Sequence, residues 1–422
     1  MANSENVTQA QVLGPVLPSG RILTLDVLRG FALLGILVVN MELFVHPIQR
    51  MVLPLDPGTG TADRVVDWLV RFLFEGKFYS LFSLLFGLGF GLQLLRAEER
   101  GRSVVPVYVR RLFVLLAIGV LHAVLIWMGD ILTAYALFGF LLLLFRRAKP
   151  RTLLIWAAVC IAIPIGLNAL GTGAVALGRL AGPEISAQMD RSFAVQDSTV
   201  RADLAEGYRV YANGGFGAIT GKRIDDFAFA SFGLLIMGPN IIAMFLLGLY
   251  AARRKVFADI GGNRRLFTRV FRWALPVGLV CNALYATLIQ PASRMEPSPT
   301  VLVAMIVYGI GAPALSLAYA SGITLLVQSE RWRNILQPLA APGRIPLSNY
   351  LSQSIICTMI FYGYGLALFG RLGKGSGVVL AVCIYALLLL LSRWWVKHFQ
   401  FGPAEWLWRA LTYLAKPPMK IT

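Results

Sequence analysis

The amino-acid sequence predicts an all-α integral membrane protein: a polytopic bundle of about ten transmembrane helices with both termini cytoplasmic. Three observations carry this. Hydrophobic residues fill 57% of the 422 positions and charged ones only 14%, a balance foreign to soluble domains of this length. Apolar runs of roughly twenty residues recur along the chain, each long enough for the ~30 Å hydrocarbon layer. Segments on the side of the N-terminus hold 25 Lys and Arg residues against 13 on the other side, six of those in one long loop that weighs little.

Residues 1–20 form a polar tail with no basic region leading into a cleavable apolar stretch, so the first helix is expected to be retained. The N-terminal half, 21–170, holds five helices. Arg21–His46 is the first crossing, and it carries Asp26, Arg29 and Asn40 on one helical stripe. A Pro- and Gly-containing loop, 47–67, leads to a second segment whose first half suits the membrane interface and whose crossing begins at Phe78. Val107–Met128 and Ile131–Phe145 are joined by a turn at Gly129-Asp130, too short for anything but an antiparallel hairpin. Thr152–Leu170 follows.

Residues 171–226 are polar, longer than an ordinary connection, and predict an extracytoplasmic cap with some helix of its own. The C-terminal half, 227–400, contributes Phe227–Ala252, interrupted at Gly238-Pro239-Asn240, then Arg269–Ile289, Val301–Val327, Leu347–Phe369 and Val378–Trp395. Residues 401–422 form a cytoplasmic amphipathic tail.

The net charge of +18 lies in loops between apolar runs, which points to the membrane surface and its lipids and away from nucleic acid. Four cysteines sit inside apolar runs without CxxC spacing, so no disulfide framework or metal site is indicated. Gly87, Gly89 and Gly91 follow helix and not strand, which makes them a packing seam and not a nucleotide loop.

Ionisable groups inside a membrane segment cost about 2.5–3.5 kcal/mol each on insertion scales, so each is a candidate site residue. With the N-terminus inside, Asn40, His46, Glu75, Lys77, His122 and Asp130 gather toward the outer half. Asp26 and Arg29 lie at the inner side with Asn349, Tyr350 and Gln353. Of three histidines, His122 is the candidate general base or acyl carrier, with Asp130 or Glu75 to fix its tautomer. The alternative is a histidine hydrogen-bonded across helices. Asp26 and Arg29 could hold a ligand's phosphate or carboxylate, or form an ion pair that only orients the helix. Glu75 and Lys77, two apart, point to different partners. His46 reads as a solvated interface histidine and His398 as a helix-end residue.

The stretches LDVLRGFALLGILVVN at 25–40, FEGKFYSLFSLLFGLGFG at 74–91, LHAVLIWMGDILTAYALFGFLL at 121–142, GRIPLSNYLSQSI at 343–355 and FGPAEWLWRALTY at 401–413 resemble the YeiB-like family of bacterial inner-membrane proteins, a family of unknown function numbered 418. That family in turn resembles transmembrane acyltransferases of the heparan-glucosaminide N-acetyltransferase type, through the LDxLRG…N opening. The resemblance implies a multi-pass inner-membrane protein that moves an acyl group from cytoplasmic acyl-CoA to a hydroxyl or amine of a sugar, envelope component or small molecule. It carries over to Asp26, Arg29, Gly30 and Asn40, and does not place the histidine. Acyl-CoA would be a co-substrate, with no permanently bound cofactor, and a homo-oligomer is compatible. A transporter or flippase for a small metabolite or lipid fits the buried charges equally well, and a scaffold fits them less.

Overall fold

A computed structural model describes residues 22–421; the N-terminal tail and Arg21 lie outside the described residues. Fifteen α-helices and no β-strands occur among them. Eight helical segments are long and apolar enough to cross a membrane: Leu23–Val45, Thr61–Glu99, Val105–Leu125, Pro150–Leu180, Phe216–Arg253, Arg264–Ile289, Pro299–Val327 and Lys374–His398. The protein is a multi-pass membrane protein. Leu154, Ile155, Trp156, Ile163, Leu167 and Leu170 stay exposed along Pro150–Leu180, an apolar surface that only lipid solvates without penalty.

The first crossing is α1 (Leu23–Val45). We call the end of the bundle where α1 begins proximal and the end where it finishes distal. The second crossing is broken: α2 (Thr61–Leu73) and α3 (Lys77–Glu99) meet at Gly76, whose φ of 88° belongs to glycine's range. Helix α2 packs against α9 (Arg264–Ile289) and α14 (Lys374–His398), because its Asp67 is buried among their polar groups. The break lies level with the middle of α1, where the Phe78 ring occupies the space left by Gly35.

Helix α4 (Val105–Leu125) leads into α5 (Leu132–Leu142), which has only 11 residues. Gly119 lies against the Thr133 amide and the Asp130 carboxylate. Since Gly119 is six residues before the end of α4, residues 126–131 turn back about 9 Å into the bundle. This re-entrant turn explains why α5 is short. Trp127, wholly buried within it, stacks on Phe44 of α1 with ring centroids 4.1 Å apart.

Helix α6 (Pro150–Leu180) and α7 (Pro183–Asn213) extend beyond the apolar core on the distal side, and α8 (Phe216–Arg253) returns. Gly238-Pro239-Asn240 is a packed proline inside a continuous helix and not a break in it. The helix runs through Pro239, since a transmembrane helix can re-satisfy the one carbonyl that proline frees, and Gly238 makes room for the Phe138 ring. Gly87 and Gly91 do form a seam: built with a Cβ, Gly87 would meet the Phe245 carbonyl at 2.0 Å and Gly91 the Ala252 methyl at 2.4 Å, whereas Gly89 faces open space.

Helix α10 (Pro299–Val327) pairs with α9, and α11 (Glu330–Leu336) and α12 (Ala340–Arg344) lie at the proximal end. The ninth expected crossing, Leu347–Phe369, is corrected to α13 (Pro346–Phe361); Gly363 then donates to the Tyr211 carbonyl at 2.7 Å and Gly370 to that of Val45 at 2.8 Å, folding 362–373 back under α7. Helix α15 (Pro403–Tyr413) closes the proximal side, with Trp408 Nε1 donating to the Arg111 carbonyl at 2.9 Å.

Two of the quoted stretches owe their glycines to one contact. A Cβ on Gly30 would sit 1.9 Å from the Leu339 carbonyl oxygen, and one on Gly343 would sit 1.8 Å from that of Asp26. Backbone faces backbone, so neither neighbour can swing aside. Gly30→Ala is expected to cost roughly 1–3 kcal/mol, seen as a lowered unfolding midpoint in detergent, with Gly89→Ala, in open space, unchanged.

Candidate functional site

His122, on the last turn of α4, is 2% exposed. Its Nδ1 lies 2.9 Å from Asp130 Oδ1, while Asp130 Oδ2 accepts from the Thr133 amide at 2.6 Å at the start of α5. The re-entrant turn thus brings together two side chains eight positions apart and anchors the carboxylate on a helix N-terminus. A carboxylate facing Nδ1 requires the proton there, which leaves the Nε2 lone pair available; Nε2 has no hydrogen-bond partner among the described residues. A histidine oriented by a buried carboxylate, with its other nitrogen free of hydrogen bonds, is the arrangement general bases use.

Tyr350 belongs to this group. Its ring lies 5.2 Å from that of His122, and its hydroxyl is 3.4 Å from the Gly129 carbonyl and 3.3 Å from the Ile131 amide. It was expected with Asp26 and Arg29. The inward reach of the turn brings Asp130 down beside it, next to His122.

Glu75 does not join His122. It accepts from Tyr285 at 2.8 Å and from Arg294 at 2.9 Å, with Arg71 at 3.5 Å. Arg71 also pairs with Asp67 at 2.7 Å, Asp67 with Lys374 at 2.9 Å, and Lys374 with Glu42 at 2.5 Å. Six charges of alternating sign therefore run from α1 through α14 and α2 to the loop after α9. Lys77, 0% exposed, donates only to the Arg71 carbonyl at 2.7 Å and so caps the C-terminus of α2 at the break. Glu75 and Lys77 have the separate partners their spacing implies. A cavity of about 30 Å³, room for one water, sits among Glu42, His46, Lys374 and Val70.

Asp26 and Arg29 pair with each other at 2.8 Å at the proximal end. Asn40 shares their stripe but stands about 16 Å further along α1, and is half-buried. Asn349 exchanges hydrogen bonds with Ser392 at 3.0 and 3.1 Å, and Gln353 donates to the Leu33 carbonyl at 3.4 Å, so both tie α13 to neighbouring helices.

Around Arg29 the proximal end is basic. The Arg111 guanidinium lies 4.2 Å above the Trp408 ring and that of Arg409 4.6 Å above Phe401. Burial and then the charge of Arg111 press Arg409 below its ordinary value. Glu405, on α15, accepts from the Leu347 amide at 2.6 Å and that of Ser348 at 3.1 Å, capping α13 from another helix; burial pushes its carboxyl up, against those hydrogen bonds.

His46 is not solvated. It sits just beyond α1, half-buried, its Nδ1 2.9 Å from the Tyr208 hydroxyl of α7. Burial lowers its pKa, helped by Lys374 and Arg50 and opposed by Glu42. A base with a depressed folded pKa stabilises the fold above its unfolded value, near 6.5, and that contribution disappears as pH falls through the folded value. Between pH 7 and pH 5 the unfolding midpoint of the wild type is expected to fall further than that of His46→Gln, measured in one detergent. His398 is exposed at the end of α14, bonded to the Trp394 carbonyl at 2.9 Å.

Comparison with known proteins gives consistent matches over nearly the whole chain. Residues 251–415 match the family model described as protein of unknown function DUF418. Uncharacterized protein YxaH of Bacillus subtilis (strain 168) is 37% identical over 426 residues, covering 96% of this chain and 98% of its own. Uncharacterized protein YeiB of Escherichia coli (strain K12) is 30% identical over 404 residues, covering 94% and 98%. An uncharacterized 39.9 kDa protein encoded in the amylase 3' region of Bacillus acidopullulyticus is 28% identical over 419 residues, covering 96% and 98%.

Proposed function

The chain belongs to the DUF418 family of YeiB and YxaH, and from that premise we propose that it is a membrane-embedded acyltransferase. The observation that carries the proposal is the His122–Asp130 pair, oriented at 2.9 Å with Nε2 buried and without a partner. In the reaction, Nε2 takes the proton of an acceptor hydroxyl or amine as that group attacks the thioester carbonyl of acyl-CoA. The C–S bond breaks, the thiolate leaves, and the imidazolium returns the proton to it. Asp130 stabilises the imidazolium throughout. Arg29, with Arg111 and Arg409 near it, supplies positive charge for the phosphates of the donor, and Asn40 helps position the reacting carbonyl in this proposal.

In this proposal the proximal end is cytoplasmic, as are both termini, and the membrane is the bacterial inner membrane. Helices α5 and α13, too short to span alone, complete ten crossings with the non-helical segments beside them. Calorimetric titration of the purified protein with acyl-CoAs tests the donor site. Saturable binding that is lost in Arg29→Ala is the expected result; no binding across short and long acyl chains would remove acyl-CoA from the proposal.

Transport of a small metabolite or lipid is the second reading. It is favoured by one observation, the break at Gly76 with Lys77 buried and Glu75 half-buried beside it, since discontinuous helices with buried charges mark many transporter sites. Uptake into liposomes without any acyl donor would favour transport.

A further inference from the structure

At the distal end lies an arginine whose charge the protein does not balance. Arg223, seven residues into α8, is 0% exposed. Its Nη1 donates to the Val124 carbonyl at 2.7 Å, and its guanidinium lies 5.7 Å from the Phe216 ring centroid and 5.8 Å from that of Tyr362. The other edge of the fork, Nε and Nη2, is buried without a hydrogen-bond partner. The carboxylate nearest in sequence that is buried, Asp226, is committed elsewhere: it accepts from Gln49 at 2.9 Å and Tyr211 at 2.8 Å and pairs with Lys222 at 3.2 Å.

Neighbouring donors share this condition. The Tyr362 hydroxyl and the Trp127 indole N–H are also buried without partners. Trp127 is three residues from Val124 on the re-entrant turn, and Tyr362 is the residue stacked beside Arg223. A fully buried charge costs several kcal/mol unless it is paired, and more than nine in ten buried polar groups find partners. Several unmatched donors in one neighbourhood, one of them a guanidinium edge, describe a receptor for a planar or tetrahedral oxyanion.

We propose that Arg223, with Trp127 and Tyr362, forms a distal binding site for an oxyanion, the carboxylate or phosphate group of a solute or of a lipid. Nε and Nη2 donate side by side to two of its oxygens. Gln49 Oε1, an orphaned buried acceptor on the Asp226 side, takes a hydroxyl of the same ligand. The site borders the His122–Asp130 pair, with the Trp127 ring 6.3 Å from that of His122, but its test reads anion binding and does not depend on acyl transfer.

The test is thermal unfolding of the purified full chain in uncharged detergent at constant ionic strength, with inorganic phosphate or gluconate exchanged for chloride. A rise of roughly 1–2 °C is expected once the anion is about ten times above its dissociation constant. That rise should vanish in Arg223→Gln and shrink in Trp127→Phe. Arg223→Lys, which keeps the charge and the fold but loses the fork, should also lose most of it, and it serves if the Gln variant does not fold. Nanodiscs of phosphatidylcholine with and without phosphatidylglycerol separate the sources: stabilisation by the anionic lipid alone assigns the site to a headgroup phosphate. No response to any of these in the wild type, or an equal response in the Arg223 variants, would overturn the proposal.

Discussion

Replacing His122 with Ala is expected to lower acyl transfer by about 10²- to 10⁴-fold, the range a positioned general base contributes. The side chain is buried and its loss leaves Asp130 without one of its two donors, so His122→Gln is the companion variant: it refills the volume, can still donate to Asp130, and has no basic nitrogen. Both should be equally inactive if Nε2 does the work. Asp130→Asn should be impaired as well, because an amide can donate to Nδ1 and turn the imidazole to the tautomer whose Nε2 carries the proton. The readout is acyl-CoA consumption at saturating donor, with kcat falling and donor affinity retained. Full turnover in His122→Gln with folded protein would take His122 out of the reaction and leave it as a cross-helix hydrogen bond.

The second large effect is on stability. Glu75 is the one carboxylate shared by Arg294, Arg71 and Tyr285, at 2.9, 3.5 and 2.8 Å. Glu75→Gln leaves two guanidinium groups in the bundle with their compensation reduced, which costs about 3–5 kcal/mol when a buried pair is broken from one side. Lys77→Met is expected to behave in the opposite way. Its ammonium has the Arg71 carbonyl as its one hydrogen-bond acceptor and the Tyr285 ring at 5.9 Å, so an apolar side chain of similar length removes a desolvation cost and should leave the unfolding midpoint unchanged or raised. Unfolding midpoints in a single detergent check both. Loss of function in a Lys77→Met protein of undiminished stability would mark that lysine as part of a substrate or ion path.

The residues readable in advance were those set inside long apolar runs, where a single charge stands out. Asp26, Arg29, His122 and Lys77 are of this kind. His122 and Asp130 could be matched because the hairpin between them is too short to separate them. The charges that complete the network lie in segments that look like loops: Asp67 and Arg71 in an amphipathic stretch, Arg294 and Lys374 beside turns. One signal was present, since Asp67, Arg71 and Glu75 recur every fourth residue and so share a helix face. Arg223 escaped because 171–226 reads as a solvated cap, whereas α8 carries its first three turns down against the re-entrant turn. The depth of 126–131 was not readable either. Nothing local distinguishes a turn at the surface from one folded inward; the packing of Trp127 on Phe44, over eighty residues away, decides it.

The charged chain through α2 also sets a timetable for how the protein can be made. Glu75 leaves the ribosome 219 residues before Arg294, which at about 5–20 residues per second is roughly 10–45 s. Lys374, the partner of Asp67 and Glu42, comes later still. Through that interval Arg71 alone faces Glu42, Asp67 and Glu75, so the early helices carry an excess of carboxylates and cannot settle at their final depth. Insertion of α2 has to be completed after translation of α9 and α14, and chains truncated before Arg294 should be substrates for membrane proteases while the full chain is not.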